Sequence, residues 1–169
     1  MREFDKIMNF TSQSSEIEKL SKLIKAKNKK LVFTNGCFDI VHTGHLKILN
    51  QSKSCGDILF VGLNSDSSIK RLKGNDRPIV DQFDRAEILS NFRCVDFVII
   101  FDEETPYDLI KCIEPDILVK GGDYAKNQII GADIVEDNGG SIIIIPLVDG
   151  KSTTRIVAKM KSNTNGASM

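Results

Sequence analysis

The chain has 169 residues, with 23 lysines and arginines against 23 aspartates and glutamates. That length gives one domain with a proper core and is too short for two full-sized ones, while a net charge of zero removes any electrostatic case for sequence-independent nucleic-acid binding. The longest apolar runs, such as Ile142 to Ile145, are far below the roughly 20 residues of a membrane span, and a start carrying Glu3 and Asp5 without an apolar stretch does not read as a signal peptide, so a cytoplasmic protein is expected.

The first predicted element is a helix from about Ser15 to Lys27. Ser15 and Glu18 make a capping-box pattern, and Ile17, Leu20 and Ile24 recur at helical spacing. Short apolar runs then alternate with amphipathic stretches: Leu31 to Thr34, Ile58 to Leu63, Val95 to Phe101, Ile117 to Val119 and Ser141 to Ile145 read as strands, with helices between them. Strands without clean polar alternation are buried on both faces, which predicts an α/β fold: a Rossmann-like, doubly wound parallel sheet of five strands with helices on both faces. Residues 1–30 read as an N-terminal helical extension, 31–160 as the domain and 161–169 as a polar, disordered tail. Cys37, Cys55, Cys94 and Cys112 form no CxxC pair and read as reduced thiols, the last three as small core residues.

In a doubly wound sheet, ligands bind beyond the carboxyl ends of the strands. Directly after the first strand comes Thr34-Asn35-Gly36-Cys37-Phe38-Asp39-Ile40-Val41-His42-Thr43-Gly44-His45, running into a helical pattern at Leu46, Ile48 and Leu49. Unpaired N–H groups at such a helix start favour phosphate, and Gly44 lets a triphosphate approach the backbone. His42 and His45 are three apart and share one side of a helical turn. An isolated HxxH is more often a surface pair or half a metal site. Here these are the chain's only two histidines and nothing nearby completes a zinc site, so no protein-held metal is expected. The turn lacks the three glycines of a dinucleotide-binding GxGxxG.

Four cations, Lys70, Arg71, Lys73 and Arg77, follow the second strand, with Gly74 and Pro78 punctuating the segment. Either they form a solvated surface loop or a mobile loop that neutralises phosphates. Lys120-Gly121-Gly122-Asp123-Tyr124 follows the fourth strand, where glycines admit a flat ring and Asp123 can accept from sugar hydroxyls. Ser152, Thr153 and Thr154, after Gly150, read as the N-cap region of a last helix, offering hydroxyls to phosphate.

The stretch TNGCFDIVHTGH resembles the signature of the cytidylyltransferase-like nucleotidyltransferases. With Leu63-Asn64-Ser65-Asp66, the Lys70 to Pro78 segment, Val119 to Tyr124 and Gly150 to Thr154, the likeness extends over roughly Lys30 to Met160. Within that group it is similar to the adenylyltransferases of bacterial ADP-heptose synthesis, in their stand-alone form. The resemblance implies transfer of AMP from ATP, with Mg2+ bound to the nucleotide, onto a heptose 1-phosphate, and a homodimer. It implies His42, His45 and Lys73 as catalytic residues. The nucleotide would meet Thr34, Asn35, Gly36, Phe38, Gly44, Lys70, Gly121, Asp123, Ser152, Thr153 and Thr154 as well, and the acceptor would meet Asp39, Asn64, Arg77 and Lys120.

A phosphate monoester has a second pKa of about 6 and is already ionised at neutral pH. In-line attack on the α-phosphorus therefore needs no general base, and catalysis reduces to positioning and charge stabilisation. The residues leave open a cytidylyl- or guanylyltransferase acting on a heptose phosphate or glycerol 3-phosphate, and an idle nucleotide-binding module.

Overall fold

The computed structural model describes residues 4–122, 125, 128–146, 153, 156, 157, 159 and 160. Six parallel strands alternate with six helices among them: β1 (Ile7–Asn9), α1 (Phe10–Ala26), β2 (Leu31–Gly36), α2 (Thr43–Ser54), β3 (Ile58–Asn64), α3 (Asp66–Lys73), α4 (Gln82–Ser90), β4 (Phe97–Phe101), α5 (Tyr107–Ile113), β5 (Ile117–Gly121), α6 (Ala132–Asp137) and β6 (Ser141–Ile145). The sheet order is β1-β4-β3-β2-β5-β6. From β2 the chain winds outward through β3 and β4, then returns to place β5 and β6 on the other side. The reversal between β2 and β5 is the switch point where such sheets open a crevice.

The doubly wound architecture agrees with the sequence pattern, but the sheet has a sixth strand. Ile7–Asn9 pairs with Val98–Ile100. Three residues carry too little periodicity to be read alone, and only the exposed edge of β4 gives them partners. Residues 1–30 are thus more than a helical extension. The helix also starts earlier than Ser15: Asn9 caps it by accepting from Thr11 N–H, and the Gln13 side chain accepts from Asn9 N–H. Gln13 itself departs from helical geometry (φ −128°, ψ 24°), so the Ser15 capping pattern lies just past a kink.

Two apolar clusters sandwich the sheet. One joins Leu31, Phe33, Phe60 and Leu118 to α1, α5 and α6; the other joins Val32, Val61, Leu63 and Val119 to α2 and α4. Alternation along each strand assigns its side chains to one cluster or the other. Cys94 is buried, and Cys55 and Cys112 are partly buried against these clusters. Among the described residues, no helix is long and apolar enough to cross a membrane.

Candidate functional site

The turn from β2 into α2 lies at the switch point, as its place after the strand predicts. His42 is the N-cap of α2, in extended geometry (φ −141°, ψ 173°). Its Nδ1 accepts from Gly44 N–H at 3.1 Å, while Nδ1 of His45 accepts from His42 N–H at 3.3 Å. The two rings stack with centroids 3.9 Å apart and 20° between planes, and Phe38 tilts against His45 at 5.2 Å. This reciprocal cap corrects one expectation. Two of the backbone N–H groups at this helix start are not open to phosphate, because the imidazoles satisfy them. An imidazole accepting at Nδ1 carries its proton at Nε2, so the polarity of the helix start is relayed to two Nε2–H donors.

Burial pushes the pKa of His45 down to about 4, helped by the nearby charges of His42 and Lys73. The unfolded value is near 6.5. A histidine whose folded pKa is depressed contributes its stability above the unfolded value and loses it as pH falls toward 4. At pH 6 and above, His45 is therefore a neutral donor. Long-range 1H–15N spectra should show His45 titrating near pH 4 and both rings in the Nε2–H form; a midpoint near 6.5 or an Nδ1–H tautomer would refute the reciprocal cap.

Asp39, in the middle of the turn, is 2% exposed. Its carboxylate accepts from Arg77 Nε at 2.6 Å and from the N–H groups of Ile79 and Val80 at 3.0 Å each. Nη2 of Arg77 touches the same carboxylate without hydrogen-bond geometry. Burial alone would raise the pKa of Asp39, but these donors outweigh it and hold the carboxyl below the usual range. Asp39 and Arg77 thus engage each other and pin the segment before α4 to the turn. They also brace a contorted backbone, in which Phe38 and Ile40 have positive φ (47° and 56°); that conformation is costly for a β-branched isoleucine and is held only by surrounding contacts. Thr153 closes the far side, its hydroxyl donating to the Asp39 carbonyl at 2.9 Å.

The cationic segment is not a single mobile loop. Lys70, Arg71 and Lys73 lie on α3, capped by Ser65, whose hydroxyl accepts from Ser68 N–H. The acid-first, base-last order of Asp66 and these three cations suits the helix dipole. Lys73 is exposed and close enough to act on His45, Lys70 is exposed, and Arg71 turns away to the Asp102 carbonyl. Asn64 is buried and donates to Ser68 Oγ at 3.0 Å, so its amide faces α3. Thr34 is buried at the end of β2, with Asn35 and Gly36 half-buried beyond it, and Phe38 covers Gly36. Gly121 ends β5, and Lys120 donates to Asn35 Oδ1 at 2.5 Å across the switch point. Asp123, Ser152 and Thr154 lie outside the described residues.

Sequence pattern alone did not single out Arg85. This residue, 0% exposed, donates to the carbonyls of Val80, Cys37 and Asn64 and to the Asp66 carboxylate. It ties the turn, the end of β3, the start of α3 and the approach to α4 at one point. A signal for it existed: on Gln82–Ser90 the core-facing positions carry Arg85, Ala86 and Leu89, while Phe83 is 70% exposed, an inverted amphipathic pattern.

Comparison with known proteins agrees with this architecture. The chain is 54% identical over 153 residues to the "Bifunctional protein HldE" of Nitratiruptor sp. and 53% identical over 136 residues to that of Geobacter metallireducens, covering 90% and 80% of this chain but 32% and 28% of those proteins. It spans about a third of the length of these relatives. A solved structure of the lipopolysaccharide core biosynthesis protein from Thermoplasma volcanium matches with a TM-score of 0.57 at 28% identity, covering 73% of this chain and 99% of that one. The pantoate-beta-alanine ligase of Francisella tularensis shares the fold at a TM-score of 0.56 and 15% identity, over 86% of this chain and 75% of its own. The cytidylyltransferase-like family model matches residues 33–158, a span that contains the histidine turn, Arg85 and Lys120, and the chain belongs to that family of nucleotidyltransferases.

Proposed function

We propose that this chain transfers AMP from ATP to a heptose 1-phosphate, forming ADP-heptose and pyrophosphate by in-line attack on the α-phosphorus. The observation that carries the chemistry is the pair of Nε2–H donors built by the reciprocal cap at the switch point. The bifunctional relatives at about half identity and the stretches LVKGGDY and DGKSTT support the substrate assignment.

The acceptor phosphate attacks as an ionised monoester, so no side chain has to remove a proton. As the bond to the bridging oxygen breaks, charge builds on the departing pyrophosphate. His42 and the neutral His45 donate to the α- and β-phosphate oxygens, and Lys73 supplies positive charge beside them, with Lys70 on the same helix. Such preorganised donors act where charge develops and need no reorganisation during the step. Thr34, Asn35, Gly36, Phe38, Gly44, Gly121 and Thr153 are read as the nucleotide's contacts, and the family resemblance adds Asp123, Ser152 and Thr154 from sequence alone. Around the acceptor, Lys120 makes contact directly, while Asp39 and Asn64, whose polar groups already have partners, act mainly by fixing the walls, and Arg77 acts by holding Asp39 through its Nε.

Bound with the triphosphate, Mg2+ would neutralise phosphate charge. The turn's carboxylate, Asp39, is already engaged by Arg77, Ile79 and Val80, so the ion would be carried by phosphate oxygens. A cytoplasmic homodimer completes the reading.

The test is pyrophosphate release by the purified protein with Mg2+, crossing ATP, CTP and GTP against the β- and α-anomers of D-glycero-D-manno-heptose 1-phosphate and glycerol 3-phosphate. Release with ATP and the β-heptose phosphate is expected. Release with CTP instead keeps the chemistry and overturns the base assignment; silence across the panel overturns the reading.

A further inference from the structure

Two sides of α1 are covered by the rest of the fold. Ile17, Leu20 and Ile24 recur at helical spacing and enter the core. α5 packs along the side that carries Ser14 and Lys25, where Cys112 Sγ donates to the Ser14 carbonyl at 3.4 Å and Lys25 Nζ donates to Glu114 at 3.3 Å. The side of α1 away from α5 borders a cavity of about 300 Å³. It opens where Lys29 precedes β2 and Ile58 begins β3, at the amino edge of the sheet, whereas the histidine turn leaves the carboxyl edge.

The cavity is lined by Leu20, Ile24 and Ile58, all buried, and by Phe4 and Leu23 toward the surface, with Leu23 39% exposed. Its charged lining is cationic: Lys27 and Lys29, both exposed, stand at the rim. Lys29 Nζ lies 3.2 Å from Asp57, and among the described residues no carboxylate is paired with Lys27. The carbonyls of Ile24 and Lys25, which at a helix end would repel an anion, already accept from the N–H groups of Lys27, Asn28 and Lys29. Aliphatic walls with cations at the rim suit an amphipathic anion, whose carbon chain leaves water while its head stays in it.

We propose that this cavity binds a medium-chain carboxylate, its carbon chain against Leu20, Leu23 and Ile24 and its head at Lys27. A linear chain fits a slot with aliphatic walls, and one carboxylate matches the charge of the rim lysine that has no carboxylate of its own. The site lies at the other edge of the sheet from the histidine pair. Its occupancy is independent of the reaction proposed above.

The experiment is calorimetry of the whole chain with sodium hexanoate, octanoate and decanoate, each below its micelle concentration. Affinity is expected to rise about fourfold per added methylene while the chain still finds apolar surface to bury. Lys27→Gln should weaken octanoate by about two- to fivefold, the worth of an exposed ion pair, and leave octanol unchanged. Leu23→Asp should weaken both by about tenfold or more; because Leu23 is partly exposed, its thermal unfolding should stay close to wild type. On titration with octanoate, the methyl resonances of Leu20, Leu23, Ile24 and Ile58 should shift and those of Leu46 and Leu72 should not. No saturable binding of decanoate, an affinity flat with chain length, octanol as tight as octanoate, or undiminished binding by either variant would each overturn the site. So would binding only to vesicles of phosphatidylglycerol and phosphatidylcholine, which gives this face to a membrane. Self-association lost in Leu23→Asp without any octanoate binding gives it to a second copy and overturns the proposal equally.

Discussion

His45→Ala is expected to lower kcat by about 10²- to 10³-fold, the usual cost of removing one preorganised donor from a developing negative charge. The loss should fall on kcat more than on the KM for ATP, because the donor strengthens its contact as the bridging oxygen becomes charged. His45 is also structural, since its Nδ1 accepts from His42 N–H and its ring stacks on that of His42. Its removal therefore also takes away the ring that stacks on His42. His45→Asn keeps a side chain that can accept from a backbone N–H while displacing the Nε2–H donor. It should preserve the α2 cap and stability but not turnover. Steady-state kinetics and thermal unfolding on the two variants separate the roles; near-normal kcat in both would remove His45 from the chemistry.

The largest effect on stability is expected at Arg85. Arg85→Met leaves three carbonyls, those of Cys37, Asn64 and Val80, without their donor and the Asp66 carboxylate without its ion pair. Breaking a buried charge network from one side costs about 3–5 kcal/mol; because Asp66 keeps 30% of its side chain exposed, the lower end applies. Urea unfolding should show a lowered midpoint at unchanged slope. Arg85→Lys should not rescue it, since one ammonium cannot reproduce a planar fork that reaches four acceptors. Activity should fall with stability, because the same guanidinium holds the histidine turn against α3 and α4. A change below about 1 kcal/mol would mean these contacts contribute little.

The two residues act at different levels. His45 is expected to touch the reacting phosphates. Arg85 is a positioning residue whose guanidinium is taken up by protein acceptors, and its role is to hold four chain segments in register around the turn.

How far the sequence reached depended on how local each signal was. The parallel α/β architecture was legible because Leu31 to Thr34, Ile58 to Leu63 and their counterparts are apolar on both faces, and burial on both faces is a property of each strand alone. The histidine turn was legible because a strand, a polar turn and a helix start are contiguous, so Thr34 to His45 display their whole context in one stretch. Three things were decided only by tertiary structure. β1 is too short to declare itself and exists because β4 offers an unpaired edge. The partnership of Asp39 with Arg77 spans 38 positions and makes a brace for the turn that no local pattern in the sequence announces. Arg85 sits among the core-facing positions of α4, but its meeting with acceptors from the turn, the end of β3 and the start of α3 appears only in the fold. Chain-local periodicity fixes which face of an element is apolar; which polar groups end up buried together depends on loop closures that bring residues 19 to 85 positions apart into contact, and those appear only once the chain has folded.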